Sequence, residues 1–150
     1  MMNIKTKNFG LVSYNEEDVL HFDDGIPGFE GLKSFILLSV DEYTPFKWLQ
    51  SLDDTNIAFV IIDPKAIVKD YKVELDEETV KLLDIKDLNH ILVFAIVVIP
   101  DEIEKMTANL KAPIIINAEN NKGMQILLDN DDYMIKHPVL KELKNADTHS

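Results

Sequence analysis

The sequence contains neither cysteine nor arginine. The first absence excludes disulfides, thiolate metal sites and a cysteine nucleophile. The second removes the rigid bidentate fork that grips phosphate and guanine. All 15 basic residues are lysine, and against 27 acidic ones they leave a formal charge of −12. Phosphate contacts dominate nucleic-acid affinity, so such a chain is expected to be repelled by DNA and RNA. Long apolar runs are missing too. The longest, Ile91 to Ile99, falls well short of the ~18 residues of a membrane span, which predicts no membrane association. The N-terminal MMNIKTKNFG carries lysines but no apolar core or small-residue cleavage site, which predicts a cytoplasmic chain.

What is present is an ordinary globular composition, 46% apolar over 150 residues. A domain of this size buries roughly 70% of the surface its unfolded chain exposes. The −12 charge has two readings: it keeps the chain dispersed, or it steers association with a basic protein surface.

Short β-rich runs separated by turn residues fill most of the chain: 3–7, 10–14, 19–22, 35–40, 47–50, 57–62, 71–75, 92–99, 107–110, 114–117, 125–128 and 133–136. They predict a mainly β, small single-domain β-barrel-like fold of many short, mostly antiparallel strands with one or two short helices. The domain is expected over 1–138, with 139–150 a polar C-terminal tail, either a frayed helix or disordered. The runs IAFVII and ILVFAIVVI are apolar on both pleat faces and are stopped by Pro64 and Pro100, which predicts central strands. DEETVKLLDI predicts a helix capped by Asp76 over an open barrel end, with Val80 and Leu83 on one face and Leu82 alongside. A second helical turn is expected over Pro100 to Lys105.

FDDGIPGFEGLKSF, residues 22–35, holds three of the five glycines. Its GxxGxxG spacing fits neither dinucleotide nor P-loop fingerprints, and Asp23, Asp24 and Glu30 would repel phosphate. The stretch reads as a structural corner or a recognition loop, with Ile26, Phe29 and Leu32 turned inward. Histidines 21, 90, 137 and 149 lack metal-site spacing, so neither a metal nor any other cofactor is expected. LDNDDY lacks the glycine and glutamate of a calcium loop and reads as a polar turn. Asp53, Asp54 and Asp63 could be paired as acid and base, but such coincidences are expected among 27 acids. No serine sits in a nucleophile elbow, and the chain is read as a non-enzyme. Trp48, the sole tryptophan, stands beside the acidic turn Asp53–Asp54. That is the pattern of an interface anchor, or of a core tryptophan next to a solvated turn.

GIPGFE at 25–30, WLQS and an acidic turn leading into IAFVIIDP at 48–64, and TANLKAPIIIN at 107–117 followed by Gln125 and His137-Pro138 form an ordered set. Together they resemble the flagellar assembly factor FliW family over almost the whole chain. The resemblance implies a cytoplasmic, non-enzymatic regulator with a β-barrel-like fold. It also implies two protein partners, flagellin and, once flagellin is exported, the translational repressor CsrA. FliW proteins inhibit CsrA allosterically through its C-terminal extension, which relieves repression of flagellin mRNA. A −12 surface beside an RNA-binding protein would weaken phosphate binding at a distance. Partner contacts are expected at Glu30, Trp48, Asp53, Asp54, Asp70 and Tyr71. The competing readings are a small-ligand-binding β-barrel, a generic acidic interaction module and a metal-dependent hydrolase using the acidic turns.

Overall fold

A computed structural model describes residues 1–39 and 44–141. In chain order the strands are β1 (Met2–Thr6), β2 (Gly10–Tyr14), β3 (Leu20–His21), β4 (Ser34–Leu38), β5 (Phe46–Ser51) and β6 (Ala58–Ile62). After helix α1 (Glu77–Leu82) come β7 (Ile91–Val98), β8 (Thr107–Ala108), β9 (Ile114–Asn117), β10 (Lys122–Gln125) and β11 (His137–Pro138). Strands β3 to β7, β9 and β10 close into a seven-stranded barrel, because β7 pairs with both β6 and β9. Every pairing is antiparallel except β3 with β10, which meet at His21 and Lys122. β1 and β2 form a separate hairpin, tied to the turn after β5 by Lys7 N–H donating to Thr55 O at 3.2 Å.

The doubly apolar runs are explained by two cores on opposite sides of one sheet. Leu20, Phe22, Phe35, Leu49, Ile61, Phe94, Ile114 and Ile116 meet inside the barrel. Ile62 and Ala95, next in the chain to Ile61 and Phe94, point the other way with Val97, into an outer core with Ile67, Tyr71, Met106, Leu110, Leu128 and Val139. Successive strand residues face opposite sides, so a strand covered on both must be apolar throughout. The interior is filled by side chains, which leaves no room for the small ligand a barrel binder would need. Val139, the first residue of the expected tail, is buried in the outer core. Residues 142–150 of that tail lie outside the described residues.

Three expectations are corrected. Residues 71–75 alternate inward and outward as a strand does, yet pair with no strand among the described residues, because they lie across a groove from Ile91 and Val93 of β7. The run expected at 125–128 pairs earlier, over Lys122–Gln125, because Asn121 takes a left-handed φ of 61° and closes the hairpin from β9. The run expected at 133–136 gives way to His137–Pro138, which pair with β8.

Helix α1 starts as expected. Asp76 caps it, its carboxylate accepting from Thr79 N–H at 2.8 Å. The helix lies on the outer side of β9 rather than over a barrel end, for Leu83 and Ile85 pack on Ile115 while Leu82 is 48% exposed. Asn117 and Asn120 donate to the Leu83 carbonyl at 3.0 and 2.9 Å, which satisfies the helix end. The second turn forms as a short 3-10 helix over Ile103–Lys105, so Pro100 is not its first residue.

The bond from Thr79 N–H, reinforced by the Thr79 hydroxyl, lowers the Asp76 pKa below its ordinary value. A depressed carboxyl contributes stability above its unfolded pKa and loses it as pH falls through the folded one. Thermal melts from pH 7 down to pH 2 test this. Asp76→Asn keeps an acceptor without a titrating charge and should shallow the acid limb below about pH 4. Superimposable limbs would remove Asp76 from the acid response.

Candidate functional site

The GIPGFE corner is built on a tight turn. Phe29 N–H donates to Ile26 O at 2.6 Å across Pro27 and Gly28, whose φ is +90°. Proline at the second position and a positive φ at the third are the signature of a type II turn. Ile26 is buried and Leu32 half-buried as expected, but Phe29 is 39% exposed and lies edge-on to Phe59 with ring centroids 5.1 Å apart. The Glu30 carboxylate accepts from Gly28 N–H at 3.1 Å, a bond that lowers its pKa and keeps it ionised on the exposed corner.

The acidic turn after β5 touches the same corner. Asp53 accepts from Lys33 and Ser34 N–H at 2.7 and 2.8 Å, holding the corner's outgoing chain to the turn. Asp54 accepts from Asn56 N–H at 3.0 Å, and both aspartate amides donate to Ser51 Oγ. Glu30, Asp53 and Asp54 are exposed, and each carboxylate also orders backbone. Trp48 is half-buried and packs edge-on against Phe9 of the β1–β2 hairpin at 5.2 Å. It joins the hairpin to the barrel wall.

Asp70 and Tyr71 occupy a different part of the surface, on the segment between β6 and α1. Tyr71 is 3% exposed, and its hydroxyl donates to Leu110 O at 2.7 Å. Burial, with Tyr133 close by, pushes its pKa above the ordinary tyrosine range. It is a core residue beneath the surface, so Asp70 is the member of the pair that a partner can meet. Two grooves flank this segment. One, of about 650 Å³, is walled by Tyr71, Val73, Leu75, Val80, Ile91 and Val93. The other, of about 950 Å³, runs between the segment and residues 126–133. The LDNDDY turn forms its far bank. There Asn130 Oδ1 accepts from Asp132 N–H at 2.9 Å, and Lys111 Nζ donates to Asn130 O at the same distance. Sequence reasoning missed both grooves. The only available signal was the KVEL alternation, which reads equally well as a paired strand.

Metal-ligating side chains meet at one place among the described residues. Asp87, His90 and Glu119 offer atoms within 4.8 Å of one another, all exposed. His90 Nε2 lies 3.4 Å from Asp87 and 3.7 Å from Glu119. Glu119 sits in the β9–β10 turn, far in sequence from the other two, so spacing rules did not find it. Among the described residues no helix is long and apolar enough to cross a membrane.

A family model described as FliW protein matches residues 3–140. A protein of Caldanaerobacter subterraneus subsp. tengcongensis named flagellar assembly factor FliW is 61% identical over 150 residues, covering 99% of this chain and 100% of its own. One of the same name from Thermoanaerobacter pseudethanolicus is 62% identical over 146 residues, covering 97% of each chain. A crystal structure of the flagellar assembly factor FliW superposes with a TM-score of 0.84 at 36% identity, over 91% of this chain and 96% of that one.

Proposed function

Because the chain belongs to the FliW family of flagellar assembly factors, we propose that it acts in flagellum assembly as a cytoplasmic regulator that works by binding proteins. In this reading it holds flagellin and, once flagellin is exported, turns to CsrA and relieves repression of flagellin mRNA. The supporting observation is the match along residues 3–140, joined to a surface rich in ordered carboxylates. The family is one of regulators and not of enzymes. The filled barrel interior disfavours a ligand-binding barrel, and the backbone bonds of Asp53 and Asp54 disfavour a hydrolytic acid pair.

Contacts are proposed at Glu30, Asp53, Asp54 and Asp70, with Trp48 and Tyr71 supporting the surface from beneath. Fixed negative charge of this kind accelerates encounter with a basic partner, and screening at physiological salt has a range of about 8 Å. The test is binding of the purified chain to flagellin and to CsrA, separately and in competition. Each partner should bind alone, and flagellin should displace CsrA. Asp54→Lys with Asp70→Lys should slow CsrA association by about tenfold at low salt in the folded variant. Absence of binding to both partners would overturn the function. A normal association rate would remove those two residues from the site.

A further inference from the structure

The segment Tyr71–Asp76 has the pattern of a strand and lacks a strand's partner. Tyr71, Val73 and Leu75 turn inward, Lys72, Glu74 and Asp76 turn outward, and the chain runs through them without a bend. Among the described residues no backbone hydrogen bond reaches Val73, Glu74 or Leu75. Sheet proteins cover or charge such edges, because an unpaired row of N–H and C=O groups is a template for another chain. Here the edge is charged but not covered, and it opens into a groove.

Which groove each amide faces follows from the one bond the segment makes. Lys72 N–H donates to Tyr133 Oη at 2.8 Å, across the groove bounded by residues 126–133. Successive amides along a strand point to opposite edges, so the Glu74 N–H and C=O face that same groove. Its rim carries Asp70, Glu74, Asp76 and Asp129 against a single cation, Lys72. Its floor includes Leu127, a leucine left 73% exposed. The Asp76 carboxylate is held ionised by its bond from Thr79 N–H, so the rim keeps that charge well below neutral pH.

We propose that the groove between residues 70–76 and 126–133 binds an extended, lysine- or arginine-bearing peptide segment of a partner protein, which adds as a strand along Glu74 with an apolar side chain on Leu127. Main-chain hydrogen bonds to the open edge hold the peptide, and alternation divides its side chains between the leucine and the carboxylates. The basic side chains meet the carboxylate rim and the apolar ones meet Leu127. The inference rests on the reading that the chain works by binding proteins, and it assigns the place and conformation in which one partner segment is held.

The probe is an end-capped heptapeptide of alternating lysine and valine, titrated into the full chain at physiological salt and followed residue by residue by NMR. Shifts should concentrate at residues 70–76 and 126–130, and exchange of the Glu74 amide should slow at least tenfold on saturation. The same peptide N-methylated on the bonds facing the edge should lose at least tenfold in affinity, and a peptide with glutamate for lysine should not bind. In the chain, Glu74→Lys with Asp129→Lys should lower affinity for the probe at least tenfold while leaving the melting temperature unchanged. Equal affinity of the N-methylated peptide, or shifts centred elsewhere, would overturn the proposal. Binding to flagellin and CsrA is scored on the same preparations. A chain that captures both and ignores the probe sinks the groove alone, and a chain that captures neither and takes the probe as described supports the groove while sinking the partner assignment.

Discussion

Substituting alanine at the three glycines of the GIPGFEG corner should give a steep series, with Gly25→Ala losing about 2–5 kcal/mol, Gly28→Ala about 1–2, and Gly31→Ala within about 0.5. Gly25 and Gly28 both have positive φ, +67° and +90°, where a Cβ crowds its own backbone. They differ in what lies beyond. A Cβ on Gly25 would sit 2.6 Å from Glu30 Cα, a backbone atom that cannot swing aside, whereas a Cβ on Gly28 meets nothing within 4 Å. Gly31 has neither a positive φ nor a neighbour within that distance. Urea unfolding gives the order directly, provided the slope stays constant so that midpoints report stability alone. A Gly31→Ala loss equal to that of Gly25→Ala would refute the account. The corner's glycines would then serve something other than its shape.

Phe22→Ala should be the most damaging single truncation, at about 3–5 kcal/mol out of a total near 5–15. Phe22 is 0% exposed, stands edge-on to Phe35 with centroids 5.1 Å apart, and belongs to the core inside the barrel. It also explains a glycine in the middle of β10. A Cβ on Gly123 would come within 2.6 Å of Phe22 Cζ, and a ring enclosed by the barrel has nowhere to move. The two positions must therefore be coupled. Gly123→Ala should destabilise strongly in the native background and markedly less in a Phe22→Leu background. Neighbouring residues that share space show interaction energies of about 0.5–3 kcal/mol. Strict additivity in a double-mutant cycle would mean that the ring and the glycine do not compete for the same volume.

These two results mark how far the sequence could be read. The β-rich pattern, the central place of IAFVII and ILVFAIVVI, the cap at Asp76 and the corner at 22–35 are all visible in the chain, because each depends on neighbours a few residues apart. The strand expected at 71–75 has the right alternation, but pairing depends on whether the folded chain brings it against a sheet edge, and here a groove stands between it and Ile91 and Val93 of β7. The displaced start of β10 depended on one asparagine adopting a left-handed conformation, which asparagine tolerates but does not require.

The contact residues were legible as charges and illegible as roles. Glu30 and Asp53 also accept backbone hydrogen bonds that hold the corner together, and Asp54 accepts one within its own turn. Tyr71, expected as a contact, lies under the surface with its hydroxyl on Leu110 O.

By itself the sequence determined the chemistry of the surface and the kind of fold. The charge of −12 without a single arginine and the apolar runs that need two covered faces are sums and local patterns, which no folding route can alter. Tertiary structure alone decided which carboxylates are tied to backbone, which aromatic residues are submerged, and that Asp70, Glu74, Asp76 and Asp129 share one groove beside an unpaired edge. Those outcomes depend on residues up to 59 positions apart meeting in space. Barrel closure sets such meetings through the pairing of β7 with both β6 and β9, and no periodicity along the chain encodes it.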